Sequence, residues 1–367
     1  MNAVKLMKKH AVLSVATAAA VITSFIVPPD VLYLGYFDFK TLTCLFLTLA
    51  VVCALRNIKF FTILARKIVM LTGNLRMLAL SLIYITFIGS MLIANDMALI
   101  TFLPLGYFAL TVTKQEKYMA YIFILQNVSA NLGGMLTPFG NPQNLYLYSA
   151  FNIPTAEFMQ IMLPPFILAV VLLTVLCLVM PKKTLAISED FPEKLSVKRT
   201  VLYLILFAFS IAIVFRVVPY VLGLIIIPVI LFVADRDALK SVDYPLLLTF
   251  VMFFIFAGNM ARIDVVNNLV SSLLEKSTLL VSMLSCQVIS NVPSAILLSQ
   301  FTDNYRELLL GVNIGGTGTL IASLASLITY SEYKLLHPGD NKHYLLLFTA
   351  LNLVFLVILG AAAYFLF

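Results

Sequence analysis

Apolar stretches long enough to cross a bilayer recur along the whole chain, and this pattern constrains the fold more than any single motif. A hydrocarbon layer of roughly 30 Å takes about 20 residues of α-helix, and lipid-exposed irregular backbone does not survive inside it. Full spans are expected near 11–27, 39–55, 118–150, 161–180, 200–215, 217–234, 245–260, 307–330 and 344–366. With 62% of the residues hydrophobic and 11% charged, one soluble core cannot hide so much apolar surface. The expected fold class is an all-α polytopic membrane protein, with the lipid bilayer rather than nucleic acid as its surroundings.

The charges lie between the apolar runs. Nine crossings with a cytoplasmic amino terminus put 1–10, 56–76, 113–117, 181–199, 235–243 and 331–343 inside, where they hold 19 of the 24 Lys and Arg. Lys40, Arg216, Arg262, Lys276 and Arg306 are left outside, which is the bias of the positive-inside rule. The expected location is the cell (inner or plasma) membrane, with the carboxyl terminus outside. Lys5, Lys8 and Lys9 before the apolar run 11–27 suggest a signal peptide. However, no small-x-small cleavage site precedes Pro28-Pro29-Asp30, and more spans follow. Cys44, Cys53, Cys177 and Cys286 sit in apolar segments without C-x-x-C spacing, and His10, His337 and His343 are scattered. Neither a disulfide framework, a metal cluster nor an enzymatic nucleophile–base pair is indicated, and no cofactor beyond a coupling Na⁺.

Two further apolar segments form hairpins. The first, 77–112, is broken at Asn95-Asp96; the second, 277–302, is broken at Ser290-Asn291-Val292-Pro293. Arms of about 14 and 10 residues are too short to cross twice, so the second reads as re-entrant. Charge bias does not separate re-entrance from two crossings in the first, and symmetry with the second argues for re-entrance there too. The stretches ahead of them, 60–71 and 262–276, read as interfacial amphipathic helices or, given their imperfect periodicity, as ordinary loops.

After each hairpin comes a matched run. Asn131-Leu132-Gly133-Gly134 and Asn313-Ile314-Gly315-Gly316 both read N-(L/I)-G-G. Threonine follows at the seventh position (Thr137, Thr319), with small polar residues at the eleventh (Asn141, Ser323) and fourteenth (Asn144, Ser326). In the topology above the two runs cross in opposite directions, so they belong to inverted repeats, a layout of secondary transporters. The expected organisation is a first repeat over 1–180 with an inward-opening hairpin, a cytoplasmic linker over 181–199, and a second repeat over 200–367 with an outward-opening hairpin.

Gly133-Gly134 with Pro138, Gly140 and Pro142 breaks the span 118–150, and 307–330 should break likewise. Bare backbone groups are tolerated at membrane depth only in protein or beside a wet cavity. Asn141 is expected to cap the next half-helix and Pro142 to begin it. The half-helix then offers free N–H groups and a positive dipole end to an anion. The expected substrate site comprises Asn131, Gly133, Gly134, Thr137, Asn141, Pro142 and Asn144, with Asn313, Gly315, Gly316, Thr317, Thr319 and Ser323. The expected coupling-ion site comprises Asn95, Asp96, Ser290 and Asn291. An acid at the bilayer centre costs about 2.5–3.5 kcal/mol on insertion scales, so Asp96 is a functional candidate. Burial disfavours its charged form, suiting it to carry a proton or ligate Na⁺. The other 16 acids fall in loops, interfacial stretches or span ends.

The Asn-tipped hairpins, the N-x-G-G-x-x-T-x-x-G-x-P-x-N run and Ser290-Asn291-Val292-Pro293 resemble the ion transporter superfamily. It includes divalent-anion:sodium symporters, citrate carriers, arsenite permeases and a branch of Na⁺/H⁺ antiporters. The resemblance implies a homodimer joined by scaffold helices, a transport domain of hairpins and broken helices moving as an elevator, and cation and substrate sites beside Asn95 and Asn291. The tips read Ala94-Asn95-Asp96 and Ser290-Asn291-Val292, where dicarboxylate symporters carry Ser-Asn-Thr. The Asn-Asp tip is more similar to the arsenite-permease and antiporter branches, and the first half is short by one scaffold helix. The expected function is secondary active transport of an anion or weak oxyacid (a carboxylate or inorganic oxyanion) coupled to H⁺ or Na⁺. The alternatives are a Na⁺/H⁺ antiporter and, behind it, a channel or a non-transporting scaffold.

Overall fold

The structure, a computed structural model, describes residues 11–185 and 195–365. Lys5, Lys8, Lys9, His10 and residues 186–194 of the linker 181–199 lie outside the described residues. The described chain is helical apart from one isolated β-bridge, Asn74 with Thr184, which ties the start of the first hairpin to the segment after α8 (Thr155–Leu178).

One group of helices packs around the amino-terminal pair. The first, α1 (Ala11–Ile26), lies along α12 (Tyr244–Ala261), where Asn259 donates to Thr23 Oγ1 at 3.2 Å and Ser24 Oγ at 3.3 Å. Next, α2 (Phe39–Asn57) starts where Asp38 accepts from the Thr41 N–H, and it packs on α9 (Val197–Val214) and α10 (Tyr220–Ala234). The short α11 (Arg236–Lys240) follows α10.

The remaining helices build the two hairpins and two broken helices. Hairpin one is α4 (Leu75–Ile93) and α5 (Asn95–Val112); hairpin two is α14 (Thr278–Ile289) and α15 (Asn291–Leu298). Amphipathic helices α3 (Phe60–Met70) and α13 (Asp264–Lys276) precede them, as the sequence suggested. The first broken helix is α6 (Met119–Gly133) and α7 (Pro142–Ala150); the second is α16 (Tyr305–Ile314) and α17 (Leu324–Leu336). In each half the first hairpin arm packs on the first part of its own broken helix, α4 on α6 and α14 on α16. The second arms reach across to the opposite half, α5 to α17 and α15 to α7. The last helix, α18 (Asn341–Phe365), packs on α8.

Span lengths correct one expectation. Nine full crossings were expected; among the described residues seven helices are long and apolar enough to cross, namely α2, α4, α5, α8, α9, α12 and α18. The expected span 217–234 shortens to 15 residues because Pro219 caps α10 and Arg216 turns the chain with φ 64°. The spans 118–150 and 307–330 are each two short helices around a break, as the sequence led one to expect. Both arms of hairpin one, 19 and 18 residues, have the length to cross. The length argument for re-entrance therefore holds for hairpin two alone.

Candidate functional site

The two hairpin tips adopt one backbone conformation. Ala94 has φ 65° and ψ 152°, and Ser290 has φ 75° and ψ 161°. This region is almost reserved for glycine, so a non-glycine residue held there stores strain. In both tips the strained residue directly precedes the Asn that opens the second arm. Asn95 Oδ1 then accepts from the Asp96 N–H at 3.0 Å, and Asn291 Oδ1 from the Val292 N–H at 2.9 Å.

The threonines at the seventh position also play one part twice. Thr137 Oγ1 donates to Met91 O at 3.0 Å and Thr319 Oγ1 to Gln287 O at 3.2 Å, each acceptor lying one helical turn before its tip Asn. These hydroxyls fasten hairpin to break. In the second half Gln287 adds more fastening, since its Nε2 donates to Gly315 O and Thr317 O while its Oε1 accepts from the Thr319 N–H.

Amides link the halves at the breaks. Asn131 receives at Oδ1 from Asn95 Nδ2 at 3.2 Å and donates to Ser323 Oγ at 3.0 Å. Asn141 donates to Asn131 O at 3.1 Å and to Asn313 Oδ1 at 3.3 Å. Asn313 donates in turn to Asn144 Oδ1 at 2.6 Å and to Leu309 O at 2.8 Å, while Asn144 donates to the carbonyls of Gly134, Met135 and Thr137. Asn141 precedes α7 as expected but makes no side-chain cap bond, because its amide is held by Asn131 and Asn313. At the matching position Ser323 does cap, accepting from the Ser326 N–H. The glycine pairs pack the parts together. A Cβ on Gly133 would stand 2.2 Å from Phe87 O, and one on Gly134 2.3 Å from Asn141 Oδ1. Gly315 packs on Cys286 and Gly316 on the Asn291 amide.

Both tips open onto one cavity of about 410 Å³. Of the expected site residues Asn95, Asp96, Pro142, Ser290 and Asn291 line it; the glycines, Thr137, Thr317, Thr319, Ser323 and the amides Asn131, Asn141, Asn144 and Asn313 do not. Thr317 donates to Ile314 O. Four helix N-termini converge on the cavity: α5 at Asn95, α7 at Pro142, α15 at Asn291 and α17 at Leu324. Each N-terminus carries roughly half a positive charge, so together they favour an anion. No Lys, Arg or His lines the cavity among the described residues.

Two oxygens at the wall, Asp96 Oδ1 and Gln143 Oε1, are buried without a hydrogen-bond partner. The orientation of Gln143 follows from its neighbours. Asn313 must donate to Leu309 O, so its Oδ1 accepts, and Gln143 offers it Nε2 at 3.5 Å. The buried Gln143 Oε1 therefore calls for a donor or a cation. Gln143 and Gln287 were not among the expected residues. Their signal in the sequence is position, directly after Pro142 and one turn before Asn291.

Residues 4–305 match the citrate transporter family, CitMHS. The chain is similar to an uncharacterised transporter of Methanocaldococcus jannaschii, 34% identical over 293 residues and 80% of each chain. It is also similar to the inner membrane protein YbiR of Escherichia coli, 31% identical over 281 residues and 73% of each.

Proposed function

The chain belongs to the citrate transporter family, and from that premise we propose that it is a secondary active carrier for an anion or weak oxyacid, coupled to H⁺ or Na⁺ through Asp96. The observation that carries this reading is the single cavity bearing both Asn tips, four helix N-termini and one acid. The N-termini and the Asn95 and Asn291 amides bind the anion. An anion beside ionised Asp96 is repelled, so a proton on Asp96, or a cation beside it, accompanies binding. That linkage is the coupling.

The halves act as inverted repeats over 1–180 and 200–367, with the amino terminus cytoplasmic. The paired backbone strain at Ala94 and Ser290 and the paired threonine fastenings support the repeat relation, and the Lys and Arg bias of the sequence supports the orientation. Asn95 bonds to Asn131 in the last turn of α6, beside the break, which supports a tip that stops within the membrane rather than beyond it. The hairpins and broken helices move as an elevator against α1, α2, α9, α10 and α12, in a homodimer. A Na⁺/H⁺ antiporter is the second reading, favoured by the unpartnered oxygens of Asp96 and Gln143, which suit a cation.

Proteoliposomes separate the two readings. With an imposed pH or Na⁺ gradient, the carrier accumulates radiolabelled citrate or an inorganic oxyanion. The antiporter instead exchanges Na⁺ for H⁺ with no anion present, and that result overturns the anion reading.

A further inference from the structure

Asp96 also lines a second, smaller space. Beside the main cavity is a pocket of about 70 Å³ whose walls include Asp96, Ala94, Thr48, Phe139, Pro142 and Asp243. Asp243 stands just before α12, in the other group of helices, and uses Oδ1 to cap it by accepting from the Leu246 N–H at 3.0 Å. Its Oδ2 takes no part in the cap. The pocket thus has carboxylates from two separate helix groups; Asp96 lines both this pocket and the main cavity, and its Oδ1 is buried without a hydrogen-bond partner. At roughly 10–15 Å³ per water on this measure, the pocket has room for a short water chain with polar ends.

We propose that Asp243 is the proton relay of Asp96, passing protons between the aqueous end of α12 and the hairpin tip through water in this pocket. This rests on the carrier reading above. In the step, Asp243 releases a proton to a water, that water hands a proton to the Asp96 carboxylate, and Asp243, left ionised, is reprotonated from solution. Only O–H bonds form and break. The charged groups on the elements packed around Asp96 fit this role for Asp243. Arg56 of α2 approaches Met97 Sδ at 3.4 Å and Arg66 of α3 lies over Phe108, but neither lines the pocket. Among the described residues α4, α6 and α17 bring no titratable group to it. Asp243 is half-buried and lies between exposed Ser241 and exposed Tyr244, where α12 begins.

The test is infrared spectroscopy of the full chain in lipid after a pH jump, which needs no transported substrate. The protonated-carboxyl band belonging to Asp96 is the one missing from Asp96→Asn. Asn at position 243 keeps the cap acceptor and loses only the titrating group. The relay predicts that Asp243→Asn slows the rise of the Asp96 band at least tenfold without changing Tm, and that Asp243→Ala slows it equally while also lowering Tm. The relay is overturned by a wild-type rise rate in Asp243→Asn, by slowing confined to Asp243→Ala, or by a wild-type protein with no band that Asp96→Asn removes. Failure of the carrier reading shows separately, as absence of uptake in proteoliposomes.

Discussion

Asn131 donates its side-chain amide to the Ser323 hydroxyl at 3.0 Å, joining residues 192 positions apart. The counterpart is Asn141 donating to Asn313 at 3.3 Å. In each, the first residue of one N-x-G-G run meets the eleventh of the other. One contact is made twice with roles exchanged, the pattern that a two-fold relation produces. Ser323→Ala removes both the acceptor of Asn131 and the cap of α17. A loss of about 1–3 kcal/mol is expected, seen as a lower Tm, because a buried donor is orphaned and a helix end uncapped. Ser323→Asn, which copies the residue at the matching position, should lose less.

The strained tips make a prediction of opposite sign. Ala94 occupies a conformation costing on the order of 1–3 kcal/mol for a side-chain-bearing residue. Ala94→Gly should therefore raise Tm, and Ala94→Val should lower it. Equal Tm values for the three proteins would show that the tip relaxes freely.

Arg216 ties the turn before α10 to the end of α7. Its Nη2 donates to Tyr148 O at 2.6 Å, and its guanidinium stands 4.1 Å from the centre of the Tyr148 ring. A charge-assisted bond and a cation–π contact are each of order 1–3 kcal/mol and about 0.5–2 kcal/mol. Arg216→Gln is expected to lower Tm by several degrees, and Arg216→Lys, which lacks the planar fork, to recover only part.

The pair Arg262–Asp30, 2.7 Å apart where the end of α12 meets the loop after α1, sets a pH signature. The hydrogen bond from Arg262 holds the Asp30 carboxyl below its ordinary value. A lowered native value stabilises above the unfolded value, about 3.9, and the effect disappears as pH falls through the native value. The Tm difference between wild type and Asp30→Asn should be constant from about pH 5 to 8 and close below about pH 4, and added salt should shrink it.

Much of this architecture was legible in the chain itself. Helix type, the hairpin breaks at Asn95 and Asn291, and the matched runs all follow from apolar periodicity interrupted by Asn, Gly and Pro. Asp96 stood out because an acid is costly in an apolar run. The expected span 217–234 was too long at its start, since composition alone does not show that α10 begins only after Pro219. Thr137 and Thr319 belong to the expected substrate site, and their hydroxyls also fasten hairpin to break through Met91 O and Gln287 O, which the sequence does not show. A residue's letter states what it can donate, not which carbonyl will be nearest. Gln143 and Asp243 escaped notice for the same reason: their partners are remote in sequence.

The central claim is that Asp96 at the hairpin tip couples the ion to the cargo. Its most direct measurement is uptake of the transported anion into proteoliposomes across a series of imposed pH gradients, for wild type and Asp96→Asn, beside gradient-free exchange of the same anion. The account predicts that Asp96→Asn retains exchange but loses the dependence of net uptake on the gradient. Gradient-driven uptake in Asp96→Asn with the wild-type pH profile would contradict it.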